Sequence, residues 1–383
     1  MQTIDDEIMN IDKIKNFLKK INLIRLAIFW GCLIPFIVLS VVAAKLSKGL
    51  DAQTFARRFD KSGGYAQISA FLTQEAAVDA HNIRMMEFYI DQGLQEGVEV
   101  SEETGRPYIY GYSAPVGKID IRSDRASVNV DATAVGGDFF MFHPYELVSG
   151  AFFDGNDLNG DGVILDTNAA WTLFGGSSVA GMRVEIGGNV YPVRGVIRRD
   201  TGFYAKASGE EDSMVFISYG VADNLAGGMD NTDKTDITCF ELMMRNPVKQ
   251  YAYGIMDRVL NEKMGLEKDS YELVENSSRF SFLSGLKVVK SLGTRSMKKN
   301  TIIYPGWENR ARGYEDVIGI MTLFKILLLI YPLIIVIIYA VRLVKLAIAK
   351  IKKVADDVRK KAADKYRKKW LERQETNVQD ERF

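Results

Sequence analysis

Residues 147–197 read LVSGAFFDGNDLNGDGVILDTNAAWTLFGGSSVAGMRVEIGGNVYPVRGVI, and the order of elements in this stretch decides the fold around it. Val163, Ile164 and Leu165 form a short apolar run, the pattern of a buried strand. Residues 167–174 read as a helix stopped by Gly175-Gly176, because glycine takes the left-handed backbone that ends helices. Residues 183–186 and 190–197 then alternate around Gly187-Gly188-Asn189, which predicts a hairpin. A strand, a helix and a hairpin in close succession point to an α+β domain.

Working outward, β-branched and aromatic alternation predicts strands at 65–72, 108–112, 118–121, 127–132, 214–218 and 237–245. Apolar residues at helical spacing predict helices at 78–94, ending near Gly97, and at 248–264. Residues 136–142 read as a turn with aromatic packing residues. The pattern is an α+β domain of two or three αβ units, with no internal repeat.

Two long apolar runs flank this domain, at 26–44 and 317–341. The first holds no charged residue and is long enough to cross a ~30 Å hydrocarbon core at about 1.5 Å per residue. It exceeds the ~7–15-residue core of a signal peptide, and its leader carries Asp5, Asp6, Glu7 and Asp12, so it reads as a retained anchor. In the second run only Lys325 interrupts. That lysine either snorkels to the outer interface or faces a partner helix within the bilayer. Pro35 and Pro332 lie inside the runs, where proline can bend a helix.

Lys13, Lys15, Lys19, Lys20 and Arg25 precede the first run, while Arg342, Lys345, Lys350, Lys352 and Lys353 follow the second. Positive-inside bias therefore places both termini in the cytoplasm and the large domain outside, in a two-pass cell-membrane protein. The expected layout is a cytoplasmic amphipathic helix at 1–21, a transmembrane helix at 22–46, an extracytoplasmic domain with its stalk at 47–316, a second transmembrane helix at 317–342, and a basic cytoplasmic helix and tail at 343–383. Residues 45–64 hold few turn formers before Ser62-Gly63-Gly64, so the first membrane helix is expected to continue as a stalk. The helix at 1–21 fits the inner leaflet or a cytoplasmic partner equally. The thin apolar stripe along 343–373 suits a membrane surface, a weak coiled coil or a docking element.

The sequence is balanced in charge, with 49 Lys and Arg against 49 Asp and Glu, so no global field favours nucleic acid. Cys32 lies in the first run and Cys239 in the domain, which keeps them from pairing. An exported domain without an internal disulfide fits a bacterium better than a eukaryotic secretory pathway.

Catalytic motifs do not emerge. His81 and His143 are far apart, and no Gly-x-Ser-x-Gly, His-Glu-x-x-His, Cys-x-x-Cys or phosphate loop is present. His143 reads as a turn-capping residue rather than a general base. Asp157, Asn159, Asp161 and Gly162 match the opening of a calcium loop, but its twelfth position is Asn168 where a bidentate glutamate belongs. An Asn/Asp/Gly turn forms without an ion. No catalytic, cofactor-binding or metal-binding residue is therefore assigned, and no cofactor is expected.

The 147–197 stretch resembles the extracytoplasmic core domain of MacB/FtsX-type ABC transporter permeases. The resemblance rests on Gly150, Phe152-Phe153, Asp157, Val163-Ile164-Leu165, Leu173-Phe174-Gly175, Gly181, Val184, Ile186, Val193 and Gly195-Val196, in that order. Ala151 departs from the family's usual arginine. Similarity extends over roughly residues 65–275 and the preceding span. The resemblance implies an α+β MacB-like core domain flanked by two transmembrane helices and cytoplasmic amphipathic helices. It further implies a membrane subunit of an ABC complex, coupling a separate cytoplasmic ATPase and other permease subunits to motion of the outer domain. Export, lipoprotein handling or regulation of a cell-wall hydrolase through an extracytoplasmic protein or peptide partner are the implied outputs. Family permeases usually carry two further spans, so the resemblance implies that other chains complete the membrane domain. The alternative is a membrane-anchored extracytoplasmic binding or sensory protein without an ATPase.

Overall fold

A computed structural model describes residues 2–95, 107–155, 157, 159–199, 202–208, 213–227, 235–292, 298–299 and 301–380. Side chains are described for these from residue 23 to 367, except at 204, 298–299, 346, 350, 353 and 357. The expected apolar face of residues 1–21, the helix end near Gly97 and the last part of the 343–373 stripe lie outside the described side chains. The chain divides into two compact units, Val42–Leu323, and Met1–Val41 with Phe324–Phe383.

The elements follow in order. Helix α1 (Gln2–Lys48) leads to α2 (Phe55–Phe59), β1 (Tyr65–Leu72), α3 (Ala80–Gln95), β2 (Tyr108–Arg122), β3 (Ser127–Gly137) and α4 (Phe139–Phe142). Next come β4 (Glu146–Gly150), β5 (Val163–Asp166), α5 (Thr167–Phe174), β6 (Arg183–Ile186), β7 (Asn189–Arg198), α6 (Phe203–Ala207), β8 (Met214–Ser218) and α7 (Tyr219–Leu225). The chain closes with β9 (Cys239–Arg245), α8 (Tyr251–Arg258), β10 (Tyr271–Glu275), α9 (Phe282–Ser291), the short β11 (Lys298–Lys299) and β12 (Ile302–Ile303), and α10 (Gly306–Asp380).

Among the described residues, ten strands form one mixed sheet in the order β10-β1-β9-β2-β3-β8-β5-β7-β4, with β6 pairing β2 and β7. The β3–β8 and β5–β7 pairs are parallel; the others are antiparallel. Side chains alternate between the faces of a strand. On β1, Ala66, Ile68, Ala70 and Leu72 enter a core shared with α3, α5, α7 and α8. The opposite face carries Gln67, Ser69 and Phe71. Phe71 packs there with Ala52, Phe139, Phe216, Tyr304 and Trp307. The same alternation divides β8, with Val215 and Ile217 on the first face and Phe216 on the second.

Helix α5 ends as the sequence predicts: Gly175 takes φ 76° and its N–H returns to the Trp171 carbonyl. Asp166 caps the other end, accepting from Ala169 N at 2.7 Å. The β6–β7 turn is tighter than expected. Ile186 pairs with Asn189, so Gly187 and Gly188 alone form the turn, at φ 58° and 82°. Glycine meets that demand without a Cβ penalty.

Several expectations change. The strands expected at 108–112 and 118–121 are one strand, β2, because a register shift between Pro115 and Gly117 absorbs the breakers instead of ending the ladder. The helix expected at 248–264 is α8 followed by a π-helical turn over Val259–Lys263. The expected stalk over 45–64 is absent. Helix α1 stops at Lys48, and Leu50, Ala52 and Phe55 then enter the domain core at 2–6% exposure.

In the other unit, the helical runs continue through Pro35 and Pro332. Two candidate membrane helices are present: residues Leu23–Lys48 and Gly306–Arg367 contain windows of mean hydropathy 2.5 and 2.6. Ile34 is 55% exposed and Leu333 52%, so protein does not shelter these apolar faces and a bilayer would. Lys325 is 8% exposed, which places it among protein groups rather than snorkelling outward. Tyr331 Oη reaches the Arg25 carbonyl at 3.5 Å.

Candidate functional site

Gln67 on β1 is fully buried and grips the segment that follows α1. Its Oε1 accepts from Phe55 N at 2.9 Å, and its Nε2 donates to the Ala52 carbonyl at 2.5 Å. The amide therefore satisfies two backbone groups that the end of α1 would otherwise bury unpaired. Arg58 adds contacts to the carbonyls of Met141, at 3.0 Å, and Asp51, at 3.2 Å. Phe55 packs edge-on against Phe142, with ring centroids 4.7 Å apart.

Two residues further along the same face of β1, Ser69 begins a polar chain that leads to α10. Asn276 Nδ2 donates to Ser69 Oγ at 2.8 Å, and Arg279 Nη1 donates to Asn276 Oδ1 at 3.1 Å. Arg279 then engages two carboxylates of α10. It reaches Glu308 through Nη1 at 2.7 Å and Nη2 at 2.8 Å, and Glu315 through Nη2 at 2.9 Å. Its Nε lies 2.8 Å from Glu315 Oε1. Glu308 and Glu315 are seven positions apart, two helical turns, so one guanidinium spans one stripe of α10. The side chains of Arg279 and Glu308 are 4% and 1% exposed.

A second arginine completes the cluster. Arg312 Nε donates to Glu308 Oε1 at 2.8 Å, its Nη2 reaches Glu272 at 3.2 Å, and its guanidinium lies 3.6 Å from the Tyr304 ring centroid. Tyr304 also donates to Glu272. At the other end, Ser69 Oγ donates to Glu241 Oε1 at 3.2 Å, and Glu241 bonds His143. The His143 ring stacks on Phe139 at 4.2 Å and lies 4.6 Å from Trp307.

The electrostatics suit permanent pairing. Burial alone would lower the Arg279 guanidinium, but Glu308 and Glu315 outweigh it and hold its pKa above the ordinary value. Arg312 behaves likewise: desolvation works against the charge, and Glu308 with Glu272 more than restores it. Nearby, burial followed by the charges of Glu241 and Glu308 pushes the Cys239 thiol well above its usual range, so it stays protonated. Replacing one member of such a buried pair typically costs ~3–5 kcal/mol, because the partner charge is left uncompensated.

Sequence reading missed this bridge. Its members lie on β1, β9, β10, the turn after it and α10, and only the spacing of Glu308, Arg312 and Glu315 was visible along the chain. His143 does cap α4, its N–H returning to the Phe139 carbonyl at 3.0 Å, but its ring is also buried, at 3% exposure, and bonded to Glu241, whereas His81 is exposed. In the calcium-like loop, Arg194 Nη2 lies 3.4 Å from Asp157 and 3.1 Å from Asp161, so an internal cation sits between the carboxylates. A cavity of about 300 Å³ lies elsewhere on the domain, lined by Glu87, Asp91, Tyr108, Tyr110 and Asp138.

The sequence profile of the MacB-like periplasmic core domain matches residues 38–246, more than half of the chain. The chain belongs to the MacB-like periplasmic core domain family. Solved structures with partial similarity include the extracellular domain of the noncanonic ABC-type transporter YknZ from Gram-positive bacteria, at 17% identity and a TM-score of 0.37. That similarity covers 54% of this chain and 99% of that one. The periplasmic region of MacB from Actinobacillus actinomycetemcomitans gives 13% identity and 0.38, covering 57% and 93%. A domain of a putative permease protein from Porphyromonas gingivalis gives 13% and 0.30, covering 55% and 87%. No curated protein matches the sequence. Family membership and the two candidate membrane helices make this MacB-like chain a membrane component of the ABC-transporter type.

Proposed function

We propose that this chain couples a separate cytoplasmic ATPase to movement of its MacB-like domain, with the domain outside the membrane and both termini in the cytoplasm. The observation that carries the reading is the attachment of both membrane-helix ends to one strand. Gln67 holds the segment after α1, and Ser69 leads through Asn276 and Arg279 to the start of α10. A displacement of either helix end therefore acts directly on β1, the second strand from one edge of the sheet, which is packed on both faces.

The basic helix at 343–373 supplies a cytoplasmic surface for the ATPase, and the outer face of the domain supplies the surface for a protein or peptide partner. Work of this kind serves export, lipoprotein handling or control of a cell-wall hydrolase. A second reading, an anchored extracytoplasmic binding or sensory protein without an ATPase, is favoured by the acidic, tyrosine-lined cavity at Glu87, Asp91, Tyr108 and Tyr110.

Affinity purification of the tagged full-length protein in mild detergent, followed by mass spectrometry, separates the two. A stoichiometric ATPase supports coupling. A lone protein under several gentle conditions contradicts it and favours the anchored binding protein.

A further inference from the structure

Helix α9 packs against α10 at Gly319 and Thr322, which sets its level relative to the apolar run that begins at residue 317. A Cβ on Gly285 would come within 2.8 Å of Thr322 Oγ1, and one on Gly319 would come within 3.0 Å of Val288. The two helices thus approach closely at small residues, which anchors α9 beside the first turns of the run. Thr322 is 1% exposed and returns its hydroxyl to the Ile318 carbonyl at 2.8 Å, so its polar group is satisfied within the helix.

The side of α9 turned away from α10 is not a typical water-facing surface. Leu283 is 67% exposed and Phe282 48%, while Lys287 and Lys290 are exposed one and two turns further on. On α10, Ile320 and Leu323 are 44% and 42% exposed at the same level as Gly319 and Thr322. Ser281 caps α9, accepting from Ser284 N at 3.3 Å, so the helix has a defined start.

We propose that α9 is an interfacial helix at the outer boundary of the bilayer, running antiparallel beside α10 so that Leu283 and Phe282 at its start dip into the acyl boundary and Lys287 and Lys290 sit among anionic headgroups. This rests on the two-span reading above. Apolar residues with flanking lysines are the composition that holds a helix in the membrane interface. The occupant is lipid because α9 is clamped to Gly319 and Thr322 inside the apolar run, ahead of Lys325, at the depth where the apolar surface of α10 must itself meet acyl chains. Such a helix fixes the height and tilt at which α10 leaves the membrane.

The test uses full-length protein in nanodiscs of equimolar phosphatidylcholine and phosphatidylglycerol. Cys32→Ala removes the thiol of the first span, and native Cys239, at 1% exposure, remains out of reach of the label. A fluorophore on Leu283→Cys is challenged with doxyl-labelled lipid and with iodide, beside a control on Ile334→Cys within the second run. The expected result is loss of Leu283 fluorescence to shallow doxyl lipid with protection from iodide, and loss at Ile334 to deep doxyl lipid. Quenching of Leu283 by iodide, or shielding from both agents, with Ile334 still quenched by lipid, overturns the inference alone. An Ile334 label insensitive to lipid overturns the two-span reading and the inference with it.

Discussion

Gln67 and Ser69 are neighbours on one face of β1, and between them they attach the ends of two helices more than two hundred residues apart in sequence. Gln67 bonds Phe55 and Ala52 just beyond α1, and Ser69 bonds Asn276, the residue through which Arg279 is joined to Glu308 on α10. Phe71, next on the same face, packs its ring 5.3 Å from that of Tyr304, immediately before α10. Three alternate positions of one strand thus form a single attachment surface.

Gln67→Leu keeps the volume and removes both hydrogen bonds. Phe55 N–H and the Ala52 carbonyl are then buried without partners, at about 1–3 kcal/mol for each group. Amide hydrogen exchange is expected to accelerate over residues 50–59. Exchange unchanged there would show that the Gln67 amide does not hold the segment.

Arg279→Met removes the guanidinium that joins Glu308 and Glu315 in the core, while Arg312 still reaches Glu308. A loss of about 3–5 kcal/mol is expected in denaturant unfolding of the full-length protein in detergent. Arg279→Lys should recover only part of it, because an ammonium cannot match the fork that reaches both carboxylates. Equal stability for the Lys variant and the native protein would argue against that geometry.

Among the described residues, the Asp157–Asp161 loop already holds a cation in the form of Arg194. Millimolar calcium is expected to leave the melting temperature of the native protein unchanged. Arg194→Met frees both carboxylates and should make the loop responsive to calcium, a difference that calorimetry with and without chelator would record.

Alkaline pH should destabilise the domain. Burial, then Glu241 and Glu308, raises the Cys239 thiol above its ordinary 9.0. Burial, then Glu87, raises Tyr110 above its ordinary 10.0, and burial, then Glu272, does the same for Tyr304. The folded state keeps protons that the unfolded chain releases, so stability is fully present below the unfolded values and falls as pH rises past them. Denaturant midpoints should decline between about pH 8 and pH 11, with a smaller decline in Cys239→Ala.

Much of the architecture was legible because local rules and packing agree. β1 and β8 lie where alternation placed them, and α5 runs between an aspartate cap and a glycine stop that both stand in the sequence. Single breakers misled: Pro115 and Gly117 suggested two strands, yet the long ladder of β2 with β3 carries it through a bulge. Strand β10 and helix α9 were missed because β10 is short with only Tyr271 buried, and α9 buries only Gly285. The polar bridge was beyond sequence reading, since Ser69, Glu241 and Asn276 meet only after the sheet forms, at separations of 172 and 207 residues.

Strand β1 ties the domain-side ends of both candidate membrane helices into one fixed relationship. Spin labels on Lys48→Cys and Ile320→Cys, in full-length protein carrying Cys32→Ala and reconstituted in nanodiscs, measure it by double electron–electron resonance. One narrow distance distribution is expected, broadened when Arg279→Met is added. A distribution already broad with Arg279 in place, or one that Arg279→Met leaves unchanged, would contradict that relationship.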